Sequence, residues 1–94
     1  MNISTINKQL ATVNPGYTAR FNPAPDESVD AEIQILLHGQ QTCWGIQIGS
    51  GYVGVNEYGF EDGEVARSKC HGIYHSRKAA VMKLCTLLAT DSHV

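Results

Sequence analysis

Residues 31–70 read AEIQILLHGQQTCWGIQIGSGYVGVNEYGFEDGEVARSKC, and the spacing of their apolar positions decides the fold. Ile33, Ile35 and Leu37 alternate with Glu32, Gln34, Leu36 and His38. Trp44, Ile46 and Ile48 alternate with Cys43, Gly45 and Gln47, and Val53 and Val55 repeat the pattern within Tyr52 to Tyr58. A period of two is that of a strand with one buried face. His38-Gly39-Gln40-Gln41, Gly49-Ser50-Gly51 and the stretch from Gly59 to Gly63 separate these runs as turns, the second with glycines to supply positive φ. Glu64 to Cys70 follows as a further strand. Strands joined by turns this short form hairpins, hence an antiparallel meander.

Outward from this segment, Tyr17, Ala19 and Phe21 alternate with Thr18, Arg20 and Asn22, which adds a strand ended by Pro23 and Pro25. The stretch from Pro23 to Asp30, PAPDESVD, reads as a polar loop too short to divide the chain into two domains. Ile3, Ile6, Leu10 and Val13 recur at helical spacing, which predicts a helix over residues 3–13 stopped by Asn14-Pro15-Gly16, with an unstructured tail as the alternative. At the other end Ser76 is a good N-cap. Ala80, Val81, Leu84, Cys85, Leu87 and Leu88 behind it make the apolar stripe of a helix that frays at Thr90-Asp91-Ser92. A sheet with one apolar face needs a cover, and this helix supplies it. The expectation is an α+β fold: an antiparallel meander of four to five strands packed against a C-terminal helix, with a short N-terminal helix. All of it forms one domain, divided into residues 1–16, 17–70 and 76–90.

A chain of 94 residues that is 43% apolar can build one core and has no room for a buried catalytic cavity beside it. Any function belongs on the surface or in a shallow groove. The net charge of -2 and isoelectric point near 6.0 argue against a general nucleic-acid binder, while leaving room for a local basic patch. There is no apolar run long enough to span a membrane, and Met1-Asn2-Ile3-Ser4-Thr5 lacks the basic start and apolar stretch of a secretory signal. Cys43, Cys70 and Cys85 are odd in number and widely spaced, which suits a reducing cytoplasm better than a disulfide framework.

Charge is segregated along the chain. Asn56 to Glu64 (NEYGFEDGE) holds Glu57, Glu61, Asp62 and Glu64 and no base. Arg67 to Lys78 (RSKCHGIYHSRK) holds Arg67, Lys69, Arg77 and Lys78, with His71 and His75, and no acid. Arg77 and Lys78 open the last helix, where cations oppose the helix dipole; an anion bound at that end would reverse the sign. The alternative is a solvated face whose cations pair with the acidic turn. Tyr52, Tyr58, Phe60 and Tyr74 lie beside these runs, and exposed tyrosines among charges are common at protein interfaces. The candidate partner-binding set is therefore Glu57, Glu61, Asp62, Glu64, Arg67, Lys69, Arg77 and Lys78, with Tyr58, Phe60 and Tyr74 as aromatic contacts.

No catalytic, metal or cofactor site is expected. Cys70, His71 and His75, with Cys43, are ligand types, yet adjacent Cys70 and His71 point to opposite faces of a strand and lack the paired spacing of zinc sites. Cys70 and His75 have no evident orienting third residue. Glu61 and Asp62 sit in a glycine-flanked turn, and Gly49-Ser50-Gly51 lies in a hairpin rather than at a strand-to-helix turn, so it is not a nucleotide loop.

Two resemblances bear on function. The order helix, strands, helix, with Ser76-Arg77-Lys78-Ala79-Ala80 opening the last helix, resembles a double-stranded-RNA-binding domain over a short segment; it implies Arg77 and Lys78 as phosphate contacts, although the acidic hairpin from Asn56 to Glu64 has no counterpart in that family. In size, clustered surface charge and lack of enzyme motifs, the chain is also similar to small phage and plasmid products, of which anti-CRISPR inhibitors are the best-known group. That resemblance implies a stoichiometric inhibitor of a bacterial nucleic-acid-handling complex such as a CRISPR effector, its acids standing in for phosphates against a basic groove, or its basic run gripping an acidic surface. An unpaired edge strand leaves a monomer or a homodimer as the expected state.

Overall fold

The computed structural model describes residues 2–23 and 30–90. Most of the expected loop from Pro23 to Asp30, and the expected helix end at Asp91-Ser92, lie outside the described residues.

Five strands form one antiparallel sheet whose spatial order is the chain order: β1 (Tyr17–Asn22), β2 (Ala31–Leu37), β3 (Gln40–Gly49), β4 (Tyr52–Glu61) and β5 (Glu64–Tyr74). Helix α1 (Ile3–Ala11) precedes them and α2 (Arg77–Thr90) follows. The fold is therefore α+β, as the alternation requires.

The turns are tighter than the glycine spacing predicts. His38 and Gly39 adopt φ of 51° and 81°, and Asp62 and Gly63 adopt 54° and 81°. Two consecutive positive φ angles define the two-residue hairpin loop whose twist matches that of the flanking strands. Gln40, Gln41 and Gly59 to Glu61 thus belong to strands, and β5 runs on past Cys70 to Tyr74. The last hairpin is longer at both ends than expected. Helix α1 ends two residues earlier than expected, at Ala11. Pro15 disfavours helical geometry at Asn14, whose side chain instead accepts from the Gly16 N–H at 2.8 Å.

Cross-strand partners share a face. Ile33 opposes Ile46, Ile46 opposes Val55, and Ile48 opposes Val53, so one face is apolar across three strands. Both helices cover it. Ile6 and Leu10 of α1 and Ala80, Val81, Leu84 and Leu88 of α2 are buried against Ile33, Ile35, Ile46 and Val55. Asn2 caps α1 through the Thr5 N–H, and Ser76 Oγ caps α2 through the Ala79 N–H at 3.2 Å.

Two bulges interrupt the β4–β5 ladder. Val55 opposes Gly72 and Asn56 opposes Cys70, leaving His71 unpaired; Gly59 opposes Arg67 and Phe60 opposes Val65, leaving Ala66 unpaired. His71 lies on the helix side, with its ring centroid 5.2 Å from that of Trp44, and the first bulge shifts the alternation beyond it so that Tyr74 opposes core-facing Val53 and Ile73 opposes Gly54. Among the described residues no helix is long and apolar enough to cross a membrane.

Candidate functional site

The β4–β5 hairpin is the one element that outgrows the body. Strand β3 leaves β4 after the Trp44–Glu57 pair, so Tyr58 to Glu61 and Glu64 to Ser68 have only each other as ladder partners. Every residue from Phe60 to Cys70 is exposed. The result is a two-stranded arm. Its tip holds Glu61, Asp62 and Glu64, and Glu61 stands directly opposite Glu64. Like charges in that position repel. Among the described residues no cation lies within ion-pair distance of any of the three.

The arm's base is charge-balanced by contrast. Glu57 faces Lys69 across the ladder, and its Oε1 lies 2.9 Å from His71 Nε2, the one ion-pair geometry among the described residues. A Cβ on Gly59 would meet Arg67 Nε at 2.9 Å, so the Arg67 side chain lies across that glycine and needs its missing methyl. Glu57, Arg67 and Lys69 line one shallow depression there.

The structure divides the basic run. Arg67 and Lys69 stand on the arm, while Arg77 and Lys78 open α2 beyond the other end of β5. The acidic tip and that end lie at opposite ends of β5, Glu64 to Tyr74, roughly 33 Å apart over ten steps of about 3.3 Å. The eight candidate charges therefore form a cluster on the arm and a distant pair at α2. The aromatic candidates divide too. Phe60 is exposed beside Tyr58, with ring centroids 6.4 Å apart. Tyr74 packs against the core.

Tyr58 belongs to a polar network that the sequence does not disclose, on the face of the sheet away from both helices. Tyr58 lies across Gly45 and donates to Glu32 Oε2 at 3.1 Å; Tyr52 lies across Gly49 and donates to Asp30 Oδ2 at 2.5 Å. Gln47 Nε2 donates to the same Asp30 oxygen at 2.7 Å, and Asn56 Nδ2 donates to Gln47 Oε1 at 3.0 Å. The hydroxyl of Tyr52, and then the amide of Gln47, hold the Asp30 carboxyl below its ordinary range. The bond to Asp30 in turn raises the Tyr52 phenol, and burial raises that of Tyr58. Glycine at 45 and 49 is what lets two tyrosine rings lie flat: a Cβ would meet the Tyr58 ring at 2.9 Å and the Tyr52 ring at 2.1 Å. The alternation of Glu32, Gln47 and Asn56 with apolar residues places them on this face, but their mutual contacts depend on register, which the sequence does not state.

Cys43, Cys70 and Cys85 form no disulfide, and burial raises the Cys85 thiol. Among the described residues no three His, Cys, Asp or Glu side chains converge as a metal site would need. No family model matches this chain, and neither a curated protein nor a solved structure shows detectable similarity to it.

Proposed function

We propose that this is a small non-enzymatic protein-binding protein that docks through the β4–β5 arm, and that it acts as an inhibitor of the anti-CRISPR type on a bacterial nucleic-acid-handling complex. One observation carries the reading: three carboxylates concentrated at the tip of a projecting ribbon, with Glu61 set against Glu64 at a cost to stability. A solvated surface has no need of such an arrangement, whereas a partner's basic groove rewards it. The exposed Phe60 and Val65 just behind the tip add apolar contact area of the kind found in interface cores. The nucleic-acid alternative loses support from the separation of Arg67 and Lys69 from Arg77 and Lys78, because phosphate binding gains most from cations that share one face.

The test is a titration of the protein into a purified CRISPR effector loaded with guide, following target-DNA binding. Stoichiometric loss of binding is expected. A triple reversal, Glu61→Lys, Asp62→Lys and Glu64→Lys, should abolish the effect, and Arg77→Glu with Lys78→Glu should leave it unchanged. Capture of partners from bacterial lysate extends the test to other nucleic-acid-handling complexes; equal recovery with wild-type and reversed tips would overturn the reading. Retention of duplex DNA or RNA at low salt, lost in the Arg77/Lys78 variant, would favour the alternative.

A further inference from the structure

The face away from the helices carries a depression of about 620 Å³ lined in part by Gln47, Tyr52, Asn56, Ser68, Cys70 and Ile73. Its chemistry follows from a one-way chain of hydrogen bonds. An ionised carboxylate can only accept. Gln47 therefore turns its amide N–H to Asp30, which leaves its Oε1 to accept from Asn56 Nδ2. Asn56 is thereby fixed with Oδ1 pointing the other way. No described residue donates to that oxygen, and a methyl on Gly54 would sit 3.9 Å from it. Asn56 is only 8% exposed. A carbonyl oxygen held in one direction by an otherwise buried side chain, and open to the depression, is an aimed acceptor for a donor that enters there.

The surroundings define the donor. Asp30 and Glu32 stand behind the amides, and the groups bonded to them are the neutral side chains of Gln47, Tyr52 and Tyr58. The cation of this face, Arg20, is engaged by Gln34, while Arg67 and Lys69 project from the other face. The depression thus offers a negative field, one aimed acceptor and an aromatic-aliphatic wall of Tyr52 and Ile73. A guanidinium group meets all three: it donates without accepting, it is always charged, and its plane stacks on such walls. Phe60, Val65 and Ile73 are 43%, 55% and 58% exposed and extend the same face as an apolar border, which fits a polypeptide better than a free small molecule.

We propose that this depression receives an arginine side chain of a partner polypeptide, whose guanidinium donates to Asn56 Oδ1. The inference deepens the protein-binding reading and rests on it for the nature of the partner, but its test is independent of the arm. The isotope-labelled full chain is titrated with a capped Gly-Arg-Gly peptide and followed by amide chemical shifts. Saturable shifts at Gly54, Asn56, Ser68 and Ile73 are expected, with affinity in the millimolar range for so small a probe. A citrulline peptide of the same shape, lacking the charge, should bind about tenfold more weakly. Gly54→Val fills the floor while leaving the hydrogen-bond chain intact, and should abolish the shifts without changing the rest of the spectrum. Absence of shifts, equal binding of citrulline, or shifts confined to Glu61, Asp62 and Glu64 would overturn the proposal. If the arginine peptide binds while reversal of the tip changes nothing in the effector assay, the depression stands and the arm reading falls; the converse removes the depression alone.

Discussion

Asp30 and the two tyrosines across the open face give the molecule a pH signature at each end of the scale. The Asp30 carboxyl is lowered from 3.8, so the folded state binds fewer protons than the unfolded one in that range. Its stabilisation is present above the unfolded value and is lost as pH falls through the folded one. Tyr52 and Tyr58 are raised from 10.0, so their contribution is present below pH 10 and is lost as pH rises towards the folded values. Urea midpoints measured across pH should therefore fall below about pH 4 and above about pH 10. Asp30→Asn should flatten the acid limb and Tyr58→Phe part of the alkaline one. Gly49→Ala tests the same network sterically. Its Cβ would meet the Tyr52 ring at 2.1 Å, so the ring must leave Asp30. A loss of about 1–3 kcal/mol in denaturant unfolding is expected, typical of an overpacked site. None of this was legible in residue order. Gln47 and Asn56 read as ordinary outward positions, and only the β3–β4 register, which pairs Gln47 with Gly54 and Asn56 with Gly45, turns them into one network.

At the level of elements, what could be read and what could not separate cleanly. Alternation and helical spacing disclose which face of each element is buried, because burial is a property of the element's own period. The strands from Ile33 to Val55 and the stripe from Ala80 to Leu88 follow that rule. Hairpin length escapes it. The Asp62-Gly63 dipeptide alone closes the last hairpin, yet the glycines at 59 and 63 make the whole interval look like a loop. The acids consequently sit on an ordered ribbon rather than in a floppy turn. Two outcomes follow for that ribbon. Gly63→Ala forces a side chain into φ of +81° and should cost about 1–2 kcal/mol. The loss should appear as faster amide exchange in residues 60–66, with the exchange of β2 and β3 unchanged. Glu64→Lys replaces a repulsive pair with an attractive one and should stabilise the hairpin by roughly 0.5 kcal/mol, while weakening partner binding. A substitution that raises stability and lowers binding marks a position kept for function.

For the molecule as a whole, the two faces of one sheet have separate duties. The helix side holds the core, and Leu84→Ala at its centre, fully buried, should cost about 2–5 kcal/mol by thermal or urea unfolding. It should leave the charges of the arm and the open-face shifts in place at temperatures where the protein remains folded. The other side is a polar floor that contributes little to that core. Because each strand pairs only with its neighbours in the chain, contact order across the sheet is low, and assembly needs no long-range search. The exception is the roof. Helix α2 closes over β4 and β5 and touches α1, the other end of the chain. A nascent chain can therefore zip its ribbon pairs as they emerge, but Val53 and Val55 of β4 stay uncovered until α2 emerges. Translation stalled before α2 should yield a sticky, protease-sensitive intermediate, making that last helix the latch on the whole assembly.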